Sequence, residues 1–248
     1  MSGVFFQLLM KTLKIIKKEP ILLVPFIAHQ LAFSLWIKSM KGDGEAAELM
    51  VLTTTNLMLN EWIIPMLFLQ PFVLILAISI IQKKRIDFNA AIKKHMSLFM
   101  GFLFVSALSK PLYIFGIKEF INVAIANDQI GLISMVMVLI GILISFITIF
   151  FQPYYILSKA KITIYQHIGN AIQVIYQFKW VVLSMLLYFF LFSVFAFQSM
   201  GLFLAMIFPQ QYQFIIIAAV NGIQSTILSV FLLRVYLVIR PFINLSYK

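Results

Sequence analysis

Long apolar runs alternate along the chain with short segments in which lysines or carboxylates reappear. Runs of this length, without period-two alternation, predict helices that cross a bilayer. Six spans are expected: Ile21–Ile37, Ile63–Ile81, Ser97–Ile117, Ile130–Leu157, Trp180–Met200 and Phe214–Ile239. The fourth is the longest, about 42 Å at the helical rise of about 1.5 Å per residue, so it must tilt or project. "QSMG" interrupts the fifth, which is expected to continue to Phe208 as an interfacial tail.

A second pattern precedes each outward-going span. Phe5, Leu8, Leu9, Leu13 and Ile16 follow helical spacing, with Lys11, Lys14 and Lys18 on the other side. Phe88, Ile92, Met96 and Phe99 form a second stripe, flanked by Lys93 and Lys94, and Tyr165, Ile168, Ile172, Ile175 and Tyr176 a third. Apolar residues at this spacing with cationic flanks predict helices lying in the headgroup plane. Written together, "LLMKTLKIIKKEPILLVP" from Leu8, "NAAIKKHMSLFMGFLFVS" from Asn89 and "HIGNAIQVIYQFKWVVLS" from His167 share one plan. The expectation is an all-α polytopic membrane protein, a single integral domain over 1–248. It carries six transmembrane helices, three cytoplasmic interfacial amphipathic helices and a threefold pattern with units near 1–81, 82–157 and 158–248.

Composition and charge agree with that layout. The chain is 62% hydrophobic and 11% charged, too few polar residues to cover a soluble domain of this length. With the N-terminus inside, 15 of the 19 lysines and arginines fall in cytoplasmic segments, where Glu19 and Asp87 are the only acids. The outer loops carry Lys38, Lys41 and Lys118 against six acids. This asymmetry predicts both termini in the cytoplasm. The formal charge of +11 is thereby explained by orientation and attraction to anionic headgroups, with no nucleic acid as partner. The first span is expected to be an uncleaved anchor, because the N-terminus lacks a short apolar core followed by an A-x-A site.

"VFLLRVYLVIR" (Val230–Arg240) and "QPYYILSKAKITIYQHIGNAIQ" (Gln152–Gln173) resemble the YciC-like inner-membrane proteins of bacteria. The resemblance implies a six-span bacterial inner-membrane protein without a defined activity. It brings no catalytic residues and no cofactor.

Candidate chemistry is sparse. No cysteine is present, so disulfides and thiolate chemistry are excluded. His29, His95 and His167 show no zincin spacing. Neither G-x-x-x-x-G-K-[ST] nor G-x-S-x-G occurs. None of the eight acids falls within an expected span, which argues against an intramembrane carboxylate relay. The polar residues expected at membrane depth are His29, Gln30, Gln70, Lys110, Asn221, Gln224 and Arg234, as interhelical hydrogen-bonding, packing or lipid-contact residues. Lys110 is expected to snorkel to the outer interface. Gly141 and Ser145, one turn apart, suggest close helix packing. Together these features predict a non-enzymatic subunit or scaffold of an envelope complex, with a membrane-protein partner or homo-oligomer. The alternative is a transporter or channel for lipid or a small apolar solute.

Overall fold

The first helix shows why these residues fold as they do. α1 (Ser2–Lys18) ends where Glu19 leaves helical values (φ −132°, ψ 74°) ahead of Pro20, which has no N–H to give. A 3-10 turn, Pro20–Leu23, carries the chain into α2 (Val24–Met40). The computed structural model describes residues 2–40, 67–104, 136, 151–158, 163–209 and 212–242. Within these, α3 is Gln70–Ile81, α4 spans 88–104 and α5 spans 151–157. α6 is Ile164–Phe192, α7 is Ser199–Ile207 and α8 is Gln213–Ile239. Every regular element among the described residues is helical, so the chain is all-α. Two stretches, Ile164–Phe189 and Gln213–Phe242, are long and apolar enough to cross a membrane; Pro20–Leu35 and Leu67–Ile81 are shorter apolar helices. Residues 63–66, 105–117 and most of 130–150, which complete three of the expected spans, lie outside the described residues, as do Gly141 and Ser145.

α8 is the post of the assembly. α2 lies along it, and α1, α3, α6 and α7 also touch it. A close approach occurs at Gly222, where an added Cβ would stand 2.7 Å from Cα of Ile27. Ala218, Gly222 and Thr226, four residues apart and all buried, give α8 the small-residue seam that lets helix backbones meet. Thr226 donates its hydroxyl to the Gly222 carbonyl at 3.0 Å, and Ser229 donates to Ser225 at 2.8 Å. Thr12, Ser79 and Ser184 bond back to Leu8, Ile75 and Trp180 in the same way. Each hydroxyl is thus satisfied within its own helix.

The amphipathic stripes meet different fates. That of α1 is spent on the protein: Phe5, Leu8, Leu9, Thr12, Ile15 and Ile16 are buried, with Leu13 at the margin. The Phe5 ring lies 5.3 Å from Phe231 and 5.5 Å from Tyr188. This corrects the expectation that α1 turns its apolar face to headgroups, because the bulky stripe fits against α6 and α8 instead. On α4 and α6 the expected stripes are split: Phe99, Ile168 and Ile175 are half-buried against the core, and the rest face outward. Phe88, Ile92, Met96 and Met100 are exposed on α4, and Tyr165, Ile172 and Tyr176 on α6. The buried positions there are Ala91, His95, Gly101 and Phe102 on α4, and His167, Asn170, Ala171, Val174, Val182, Met185 and Phe189 on α6.

α6 is bent at Phe178 (φ −114°, ψ 20°). Glu19 and Phe178 share the offset that sets His167 against Leu8 when those two stretches are aligned. α4 runs unbroken through the corresponding region to residue 104. Beyond Phe192 the chain widens into a π-helical segment, Ser193–Gln198, and resumes as α7. "QSMG" therefore does not end the helix, which continues to Ile207.

Candidate functional site

Four of the seven polar residues singled out in the sequence gather at the α2–α8 crossing. His29 and Gln30 lie within a turn of Ile27, and Asn221 and Gln224 within a turn of Gly222. His29, Gln30 and Gln224 are half-buried, and Asn221 is exposed. The His29 ring packs 6.2 Å from Phe33, one turn along α2. Gln70 is half-buried at the first position of α3, away from that crossing in sequence. Arg234 is half-buried on α8, with its Nε buried and without a hydrogen-bond partner among the described residues. Lys110 lies outside the described residues.

A second constellation was not anticipated. α4, α5, α6 and α8 converge on an aromatic cluster that holds two histidines. His95 is buried on α4 among Phe68, Phe99 and Phe102, with ring centroids at 5.9, 6.2 and 5.8 Å. Phe102 meets Tyr155 of α5 edge-on at 5.7 Å, and Tyr155 meets His167 of α6 at 4.8 Å. His167 also packs 5.5 Å from Tyr154, which lies 6.4 Å from Tyr236 of α8. Asn170 Nδ2 donates to the Tyr154 hydroxyl oxygen at 2.8 Å, in a buried bond that ties α6 to α5.

Local sequence explains how these side chains are placed. Asp87 caps α4, accepting from the Ala90 N–H at 3.0 Å. Thr163 and Gln166 form a capping box at the start of α6: Gln166 Oε1 accepts from the Thr163 N–H at 2.8 Å. The Gln166 N–H in turn donates to the Thr163 hydroxyl at 3.4 Å. These caps fix the starts of α4 and α6 and hence which face turns inward. Gly101 stands where any side chain would enter the Tyr155 ring, its ideal Cβ 2.7 Å from Cζ, so glycine permits α4 and α5 to close on the cluster.

Burial holds His95 below the ordinary histidine value of 6.5, since charging an imidazole there forfeits hydration. Both nitrogens of His95 and Nδ1 of His167 have no hydrogen-bond partner among the described residues. Neutral imidazoles are therefore packed as rings, and the cluster acts as a polar-aromatic joint between four helices. No group of three His, Cys, Asp or Glu among the described residues is placed to hold a metal ion. Beside the joint, Tyr165, Gln166, Gly169, Asn170 and Gln173 line an open cleft of about 400 Å³.

The signal for this joint was present in the sequence. Ala91, His95 and Phe102 follow helical spacing, as do His167, Asn170, Ala171 and Val174. It was overlooked because the competing stripes are bulkier and more apolar. No protein-family model, curated protein or solved structure matches this chain.

Proposed function

We propose that the chain is a six-span protein of the bacterial inner membrane, with both termini cytoplasmic. In this reading it serves as a non-enzymatic subunit or scaffold of an envelope complex. The observation that carries the reading is the exposed apolar stripe of Trp180, Leu183, Leu187, Leu191 and Phe195 along α6 and its π-helical continuation. In water that arrangement would be costly, at about 1.5–3 kcal/mol for each large side chain left uncovered. In a bilayer it is the expected one, because lipid solvates large apolar groups and helices meet through small ones. Phe203, Met206 and Ile207 extend the exposed surface onto α7.

The scaffold role follows from how the polar groups are used. Those at the α2–α8 crossing lie beside a glycine contact too tight to open readily, and the histidines serve the joint. Purification in mild detergent is expected to yield a stoichiometric membrane-protein partner or a homo-oligomer. A lone monomer, together with normal envelope behaviour on deletion, would refute the role. The amide-lined cleft beside Asn170 favours movement of lipid or a small solute as a second reading. Reconstituted vesicles decide it, since rates equal to those of empty vesicles remove that activity.

A further inference from the structure

The turn between α3 and α4 contains an unusual choice. Lys83 adopts a left-handed backbone (φ 57°), and its N–H and that of Lys84 reach back to the carbonyls of Ile80 and Ser79 at 3.0 and 2.9 Å. This is the helix-ending geometry that glycine ordinarily supplies, since a Cβ in that conformation costs roughly 1–2 kcal/mol. A lysine stands there instead, followed by Lys84 and Arg85, and all three are exposed. Lys93 and Lys94 of α4 are exposed as well. Lys94 lies close enough to Lys84 for their like charges to repel, so turn and helix cations crowd one region. From Gln82 to Phe104 the only acid is Asp87, and its carboxylate is engaged in capping α4. Beside these cations runs the open face of α4, with Phe88, Ile92, Met96 and Met100 exposed at successive turns.

We propose that the Lys83–Arg85 turn and the outer face of α4 form one docking surface for the anionic headgroups of the bilayer. The cations take the phosphates while the apolar stripe enters the acyl boundary beneath them. The inference rests on the membrane reading above and goes further in naming the element that senses lipid charge. Charge complementarity selects this occupant: five cations facing outward with one engaged acid suit an anionic sheet, and an apolar stripe along the same helix suits its hydrocarbon edge. The outer face of α6 differs, being marked by Tyr165, Tyr176 and Trp180 with Lys179, the one lysine or arginine of that helix, over the Tyr176 ring at 4.9 Å.

Because the chain has no cysteine, single-cysteine labelling tests the proposal on the full chain. Met96→Cys and, separately, Phe203→Cys are labelled with an environment-sensitive dye. Each is placed in nanodiscs of phosphatidylcholine, with or without a one-third share of phosphatidylglycerol. The Phe203 label should be quenched by spin-labelled lipid in both compositions. The Met96 label should become lipid-quenched only with phosphatidylglycerol, and that response should fall as salt is raised. Each cation near an anionic surface is worth roughly fivefold in partitioning, so K83Q/K84Q/R85Q should weaken the Met96 response by well over tenfold. Equal Met96 quenching in the two lipids, or indifference to salt, overturns the proposal while the membrane reading stands. A Phe203 label in water in both compositions overturns both. The salt dependence needs no charge variant, so the proposal stays open to refutation even if the triple variant folds poorly.

Discussion

Gly222→Ala is the most direct probe of how the helices are held together. The added Cβ would lie 2.7 Å from Cα of Ile27 and 2.8 Å from its backbone nitrogen, where ordinary contact begins at 3.4 Å. The obstacle is backbone, so no rotamer change relieves it. α2 and α8 must part by roughly 0.7 Å, a gap that forfeits a quarter to a half of the dispersion energy of the contacts it opens. Overpacking of this kind costs about 1–3 kcal/mol, and alanine regains up to about 1 kcal/mol through helix propensity. Subtracting the full regain leaves an expected net loss of about 0–2 kcal/mol. Gly201→Ala is the matched control, because its Cβ would meet Val220 Cγ1 at 3.5 Å, an ordinary contact. It should be neutral or stabilising by up to about 1 kcal/mol. Reversible unfolding in mixed micelles, followed by far-ultraviolet circular dichroism, measures both. If Gly222→Ala proves as stable as Gly201→Ala, the tight α2–α8 crossing is refuted.

Three further outcomes are expected. Asn170→Ala strips the buried Tyr154 hydroxyl of its donor and should cost about 1–3 kcal/mol, with a double-mutant cycle against Tyr154→Phe showing that the two losses are coupled. Thr163→Ala removes the capping box of α6 and should cost about 1 kcal/mol, read as a lower unfolding midpoint in the same micelles. His95 is held below 6.5 by burial, so as pH falls the unfolded chain takes up a proton there first. Stability should therefore be full above about pH 6.5 and decline below it until the lowered folded-state value is passed. His95→Phe should reduce that slope without loss of stability at neutral pH, and an unchanged slope in unfolding measured across pH would count against the buried neutral ring.

Much of the helical layout was legible because long apolar runs have few alternatives. The expected span Phe214–Ile239 begins one residue inside α8 (Gln213–Ile239), and α3 ends at Ile81 as expected. The break at Glu19 was marked by Pro20. The bend at Phe178 has no comparable residue and was marked only by the change from amphipathic to apolar sequence. The candidate site was harder to read. The spacing of each histidine with its buried neighbours was outweighed by the bulkier stripes, and the rings that join His95 to His167 come from three helices, α4, α5 and α6. The close packing expected at Gly141 and Ser145 lies outside the described residues, while the small-residue seam of α8 was passed over because Asn221 and Gln224 drew attention to polarity instead of size.

The same three stripes show why periodicity alone could not decide what each helix buries. Helical spacing gives α1, α4 and α6 two apolar faces to choose between. On α1 the bulky face also lies against bulky partners, Tyr188, Phe192 and Phe231 around Phe5, so large packs on large and the stripe turns inward. On α4 and α6 the bulky faces compete with faces carrying Ala91, Gly101, Ala171 and Asn170, which allow closer approach and a satisfied buried hydrogen bond. Where lipid solvates the bulky face, exposing it carries little penalty, so the closer contact decides the outcome. Turning α4 over would bury Phe88, Ile92 and Met96 at the cost of separating Gly101 from Tyr155 and leaving the joint without His95. The exposed large side chains of α4 and α6 thus suit apolar surroundings, whereas in water each would carry a penalty of about 1.5–3 kcal/mol.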